Sequence, residues 1–307
     1  MKKLLVTGLI MLAGLSLTGT CLSQSEKDAG DAVTPPPINW RDIGSLPRLA
    51  HGQRIDYSTS VALFLPEGWR DTITSDNTVK LTFHYHGAIW YAIEEHTRRA
   101  AKNPILCFYP GEGSSTYERL YPSHAPFDEQ VSSVTATLRA NSSNNNITID
   151  RYELESFSAG YGAVRVLLGY DDIVDRTESV VLADSLYASA TTDSLGMRVP
   201  DSKQMKPFID FARLAFDGKK KMVVAHSDIA IKSYCSTAET AAAIVKATGL
   251  KSITLTGAPP EAANRGLDFP LTARADHGGL HIWSYTGPPR IHMAIARAIA
   301  DLWKAID

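Results

Sequence analysis

The sequence has little cysteine, no surplus of charge of either sign and no apolar run of membrane-spanning length. Three cysteines in 307 residues cannot build a disulfide scaffold, and a chain this long buries enough apolar surface to need none. Thirty-one Lys and Arg stand against 33 Asp and Glu, a net charge of −2, so no cationic excess is left to neutralise a phosphate backbone. With 44% hydrophobic residues the same balance excludes an intrinsically disordered chain, which combines few apolar residues with a large net charge. The longest apolar stretch, Leu4–Leu17, is 14 residues. That is short of the roughly 20 residues needed to cross a bilayer. Nucleic-acid partners and membrane spans are therefore not expected. What remains is a globular enzyme or binding domain.

The amino terminus has the three-part layout of a secretory signal peptide: basic Met1-Lys2-Lys3, the apolar run, then small residues before the polar run Ser23–Asp28. Cleavage after Ser23 or after Thr20 is expected, so 1–23 reads as the signal. Residues 24–45, with Pro35-Pro36-Pro37, read as a linker and amino-terminal extension. The expected location is secreted or periplasmic. Cys21 offers an alternative, a lipid anchor, although Thr20 stands where a bacterial lipobox has Gly, Ala or Ser. Cys107 and Cys235 both lie in apolar surroundings, and a disulfide or two separate buried thiols fit them equally.

Residues 46–307 show no internal repeat and no second composition regime, and read as one domain in which strands and helices alternate. Strands are expected at 61–65, 79–86, 104–109, 147–157, 179–184, 221–225 and 280–285. Helices are expected at 94–102, 127–140, 163–169, 203–216, 236–248 and 291–306. Short apolar strands separated by helices predict an α/β fold with a mostly parallel central sheet covered on both faces. Residues 252–275 are the least regular part.

Ser156-Phe157-Ser158-Ala159-Gly160 joins a strand to a helix through small residues. Such a turn, usually written G-x-S-x-G, bends tightly enough to expose the central hydroxyl, although Ser156 here replaces the first Gly. It also places the Ala159 amide at a helix start, where it can stabilise an oxyanion. His86-Gly87-Ala88 closes an earlier strand, and the Ala88 amide is the candidate second donor. His292, opening the last helix, is the candidate base, with His277 as fallback. For the acid, Asp184 ends a buried strand beside the elbow strand, and Asp228 in His226-Ser227-Asp228 is the alternative. Trp90, Tyr161 and Tyr187 lie at motif ends and are weaker candidates to line a substrate pocket. His84 and His86 alternate along one strand like a metal pair, but no third ligand stands at suitable spacing, so no metal is expected. Gly111-Glu-Gly-Ser-Ser lacks the Lys of a phosphate-binding loop and reads as a loop beside the site.

The ordered set His86-Gly87, Ser158, Asp184 and His292 resembles the secreted bacterial members of the α/β-hydrolase superfamily over residues 60–306, in the chain order nucleophile, acid, histidine. The resemblance implies an eight-stranded sheet and hydrolysis without a cofactor through an acyl-enzyme. The expected substrate is a small-molecule or carbohydrate ester, cleaved by a Ser158–His292–Asp184 triad. A serine peptidase or amidase, or a non-catalytic binding protein on the same fold, are the alternatives the superfamily admits.

Overall fold

The computed structural model describes residues 48–255 and 271–307. The expected signal, linker and Cys21 anchor fall outside the described residues, as does the middle of the irregular segment 252–275. In chain order the strands are β1 (Gly52–Ser58), β2 (Val61–Pro66), β3 (Thr78–Tyr85), β4 (Ile105–Phe108), β5 (Thr148–Phe157), β6 (Thr177–Ala183), β7 (Ala190–Thr192), β8 (Arg198–Pro200), β9 (Lys221–Ser227), β10 (Ile253–Thr254), β11 (Leu271–His277) and β12 (Leu280–Tyr285). The helices are α1 (Ile89–Arg98), α2 (Ser114–Glu118), α3 (Ala125–Ser142), α4 (Tyr161–Leu167), α5 (Asp171–Arg176), α6 (Ser202–Phe216), α7 (Thr237–Thr248), α8 (Ile291–Ala296) and α9 (Ile299–Trp303).

Ten strands form one sheet in the order β1-β2-β4-β3-β5-β6-β9-β12-β11-β10, while β7 and β8 make a separate hairpin. The six strands from β4 to β12 run parallel, flanked by antiparallel strands at both edges. The central strands are buried along nearly their whole length, as expected of strands covered on both faces. Alternate residues of β3 show the two layers. Phe83 packs on Phe127 of α3, at 5.2 Å between ring centroids. Its neighbour His84 faces the other way, to Glu155 of β5, which also accepts a hydrogen bond from Trp303 Nε1 of α9. Under this second layer lies a buried charged group in which Arg99 reaches Glu153 with both terminal nitrogens, at 2.8 Å each.

The sheet has ten strands where the resemblance implied eight. The additions are β10 and β11, in the segment read as irregular, beside the expected last strand. Helix α1 begins at Ile89, five residues before the expected start, because Ile89, Ala92 and Ile93 bury themselves against Ile105 and Cys107 of β4. The final helix is broken: α8 ends at Ala296 and α9 starts at Ile299. Cys107 and Cys235 are two separate buried thiols.

At the carboxyl edge, three neighbouring strands end in the same unusual way. The residues that follow β3, β5 and β6 are His86, Ser158 and Asp184, with φ of 72°, 47° and 44°. Non-glycine residues adopt this left-handed region uncommonly, and it turns each chain sharply out of the sheet. Ser158 and Asp184 are thereby delivered to His292, while His86 turns to Tyr117.

Candidate active site

The elbow serine follows from local sterics. After β5 the chain makes a 3-10 turn over Ser158–Gly160 and enters α4. A Cβ on Gly160 would lie 2.0 Å from the Tyr85 carbonyl oxygen, so the turn rests directly against the end of β3 and only glycine fits there. Ser156, where the usual pattern has glycine, is fully buried and finds room through a hydroxyl relay. Ser185 Oγ donates to the Ser158 carbonyl at 2.8 Å, which leaves it to accept from Ser156 Oγ, also at 2.8 Å. The extra hydroxyl thus ties the turn to the chain leaving β6.

His292, on the first turn of α8, stands between the other two candidates. Its Nε2 is 2.9 Å from Ser158 Oγ and its Nδ1 is 2.7 Å from Asp184 Oδ2. The Phe157 ring lies 4.6 Å from the imidazole, centre to centre, and supports it from one side. Asp184 is completely buried. Burial pushes its carboxyl pKa up, but His292, the Thr237 hydroxyl and the Ser227 amide more than offset that and hold it below the usual range. Ser227 N–H and Thr237 Oγ1 donate to Oδ1 at 2.8 and 2.5 Å, and Ser227 Oγ donates to Oδ2 at 2.8 Å. A carboxylate with these partners stays ionised and fixed.

Other candidates lie elsewhere. Asp228 accepts from Thr286 Oγ1 at 2.6 Å and is exposed, so the alternative acid does not meet His292. The fallback base His277 stacks on Phe216, at 4.1 Å, at the start of β12 rather than its end. Trp90 is a correction: it does not line the cavity beside Ser158 but packs on Tyr91 and under the Arg48 guanidinium, 3.5 Å from the ring centre. Of the two amides named for an oxyanion, Ala159 lines the cavity with Ser158, whereas Ala88 caps α1 and lies outside the lining. His84 is no partner of His86 in a ligand pair, since its nitrogens meet Glu155 and the His86 carbonyl. Tyr117 donates its proton to the Gly111 carbonyl, at 2.8 Å, so His86 Nδ1 carries a proton and donates to Tyr117 at 2.9 Å. Burial holds His86 down at a pKa of about 4, against a weaker pull upward from Glu112.

The cavity over Ser158 has a volume of about 740 Å³, within the range of small-molecule sites. Tyr161 and Tyr187 do line it, with rings 5.6 Å apart. Sequence reasoning missed Ser227 and Thr237, whose signals were a serine at a strand end and a Ser236-x-x-Glu239 capping box on α7. It also missed the wall residues Arg165, Gln204, Ile229, Ile231 and Tyr234, which carry no motif.

No family model matches this sequence, and no curated protein matches it. Solved structures do resemble the chain. A poly(3-hydroxybutyrate) depolymerase from Bordetella parapertussis is 16% identical over 82% of this chain and 89% of its own, with a TM-score of 0.41. An S-formylglutathione hydrolase from Agrobacterium tumefaciens is 13% identical over 83% and 92%, also at 0.41. A poly(aspartic acid) hydrolase from Sphingomonas sp. KT-1 is 13% identical over 83% and 98%, at 0.40. With its mostly parallel sheet, helices on both faces, and a serine, an aspartate and a histidine that follow β5, β6 and β12, this chain has the α/β-hydrolase fold.

Proposed function

We propose that the protein is an exported serine hydrolase that cleaves carboxylic esters through Ser158, His292 and Asp184. The observation that carries this reading is the unbroken hydrogen-bond line from Ser158 Oγ through His292 to Asp184 at the mouth of a cavity. Asp184, held ionised, fixes the imidazole with its proton on Nδ1, which leaves Nε2 free to accept from Ser158. As Ser158 Oγ attacks the ester carbonyl, its proton passes to Nε2 and the imidazolium forms beside the Asp184 carboxylate. The Ala159 amide, at the start of the turn into α4, is the first oxyanion donor, and Ala88, after the His86-Gly87 bend, is assigned the second. The imidazolium gives its proton to the departing alcohol, and water then repeats the sequence on the acyl-enzyme. The substrate class is a small-molecule or carbohydrate ester, and the amino-terminal signal sends the enzyme to the cell envelope or beyond.

A fluorophosphonate probe tests the assignment, because it labels an activated serine and leaves a scaffold serine untouched. The wild-type protein is expected to label at Ser158 and to turn over short 4-nitrophenyl esters. Ser158→Ala is expected to fold, resist label and lose turnover. Retained turnover in Ser158→Ala overturns the assignment.

A further inference from the structure

Between the end of β9 and the start of α7 the chain runs without regular structure over 228–236, and it supplies Ile229, Ile231 and Tyr234 to the cavity wall. The two ends of this segment are secured. Ser227 N–H donates to Asp184 at 2.8 Å, and Cys235 N–H donates to the Ala188 carbonyl at 2.8 Å. Among the described residues, one side chain bonds the backbone of its middle. Arg198 Nη1 donates to the Lys232 carbonyl at 2.8 Å, while Nη2 donates to the carbonyls of Ile231 and Tyr234 at 3.0 and 2.5 Å. Its Nε donates to Glu239 Oε1 at 2.9 Å, and Glu239 also closes the capping box of α7.

Arg198 sits on the β7–β8 hairpin, whose own residues 190–200 contribute nothing to the cavity lining. The hairpin turn is itself tied down, since Asp193 Oδ1 accepts from the amides of Leu195 and Met197 at 2.9 Å each. A rigid platform outside the cavity thus presents a planar fork to three backbone carbonyls of the loop that forms the wall. The Arg198–Glu239 pair is substantially exposed and so adds little to folding. The geometry is specific to a guanidinium, because a lysine ammonium lacks the fixed fork that reaches several carbonyls at once.

We infer that Arg198 is a positioning residue that sets the Ile229–Ile231–Tyr234 wall, and that this wall selects esters carrying an aliphatic or aromatic group. The inference rests on the ester-hydrolase reading above. Tyr234 meets the cavity residue Tyr187 nearly edge-on, with centroids 5.5 Å apart, which extends the apolar surface away from Ser158. A bulky substituent touches that surface, and a small one does not reach it.

Arg198→Met and Arg198→Lys are compared with wild type on methyl acetate, 1-naphthyl acetate, and 4-nitrophenyl butyrate and octanoate. Both variants are expected to raise KM about tenfold on at least one bulky ester with kcat within twofold, and to leave methyl acetate unchanged. Equal losses on every ester overturn the inference, as does recovery of wild-type KM by Arg198→Lys. Amide hydrogen exchange separates this from failure of the ester-hydrolase reading. In Arg198→Met the amides of 229–234 are expected to exchange faster while those of β9 do not change, and unchanged exchange overturns Arg198's role whatever the activity. A wild-type protein that cleaves none of these esters overturns the ester-hydrolase reading and the selection of esters by the wall.

Discussion

Acid should cost this protein stability through one residue near Ser158 and His292, by an amount the structure supplies. His86 is buried between Phe157, Tyr109 and Tyr117, and its pKa lies at about 4 rather than the model-peptide 6.5. The unfolded chain therefore binds a proton on this ring that the folded chain refuses. This ring costs nothing well above pH 6.5, and its protonation in the unfolded chain lowers stability as pH falls from 6.5 toward 4. From the two pKa values the loss is about 2 kcal/mol at pH 5 and about 3 kcal/mol at pH 4, relative to pH 7. In His86→Gln the side-chain amide still reaches Tyr117 but cannot titrate. Urea unfolding of both proteins at pH 7 and pH 5 isolates the residue, since the other buried histidines, His84, His96 and His226, are common to both. Wild type should lose about 2 kcal/mol more than His86→Gln over that interval. Equal losses would refute the claim that His86 is held neutral by burial.

Two further outcomes concern the groups around Ser158. Asp184→Asn replaces a carboxylate that accepts from His292, Thr237 and Ser227 with a group that can accept through one oxygen only. Steady-state kinetics should show kcat on short esters falling by roughly 10³–10⁴-fold with KM little changed, and a loss under tenfold would remove Asp184 from the mechanism. Gly160→Ala forces a Cβ onto the Tyr85 carbonyl, so its chemical-unfolding midpoint should drop by an equivalent of about 3 kcal/mol. An unshifted midpoint would show that the elbow does not rest on β3.

The parts of the fold legible in the sequence were the strands buried on both faces. β2, β4, β6 and β9 contain short apolar runs and β3, β5 and β12 alternate apolar with polar residues, and such patterns need no partner to be recognised. Edge strands hide because half their residues meet water. β1, Gly52-Gln-Arg-Ile-Asp-Tyr-Ser, is almost wholly exposed, and β11 alternates Ala273 and Ala275 with Arg274 and Asp276. The order Ser158, Asp184, His292 could be read along the chain because each ends a strand or opens a helix. Choosing between Asp184 and Asp228 could not, since both follow apolar strands and only packing places one against His292 and the other against Thr286. The wall residues were invisible for a related reason. Ile229, Ile231 and Tyr234 line the cavity from a stretch without regular structure, and the side chain that bonds the carbonyls of 231, 232 and 234 is Arg198, more than thirty residues earlier in the chain.

Strand β5 ends at the elbow that presents Ser158, and three residues earlier it carries Glu155, which receives Trp303 of α9. The imidazole rides on α8, joined to α9 by only two residues. Ser158 and His292 are therefore both tied to β5, one at its tip and the other through the Trp303 bond to its flank, while α8 and α9 also pack on β9 and β6. The separation of Ser158 from His292 is thus set across β5, β6 and β9 together rather than by one strand. Such a design tolerates breathing of the sheet as a whole, and it concentrates sensitivity in the short joint at Arg297–Ala298.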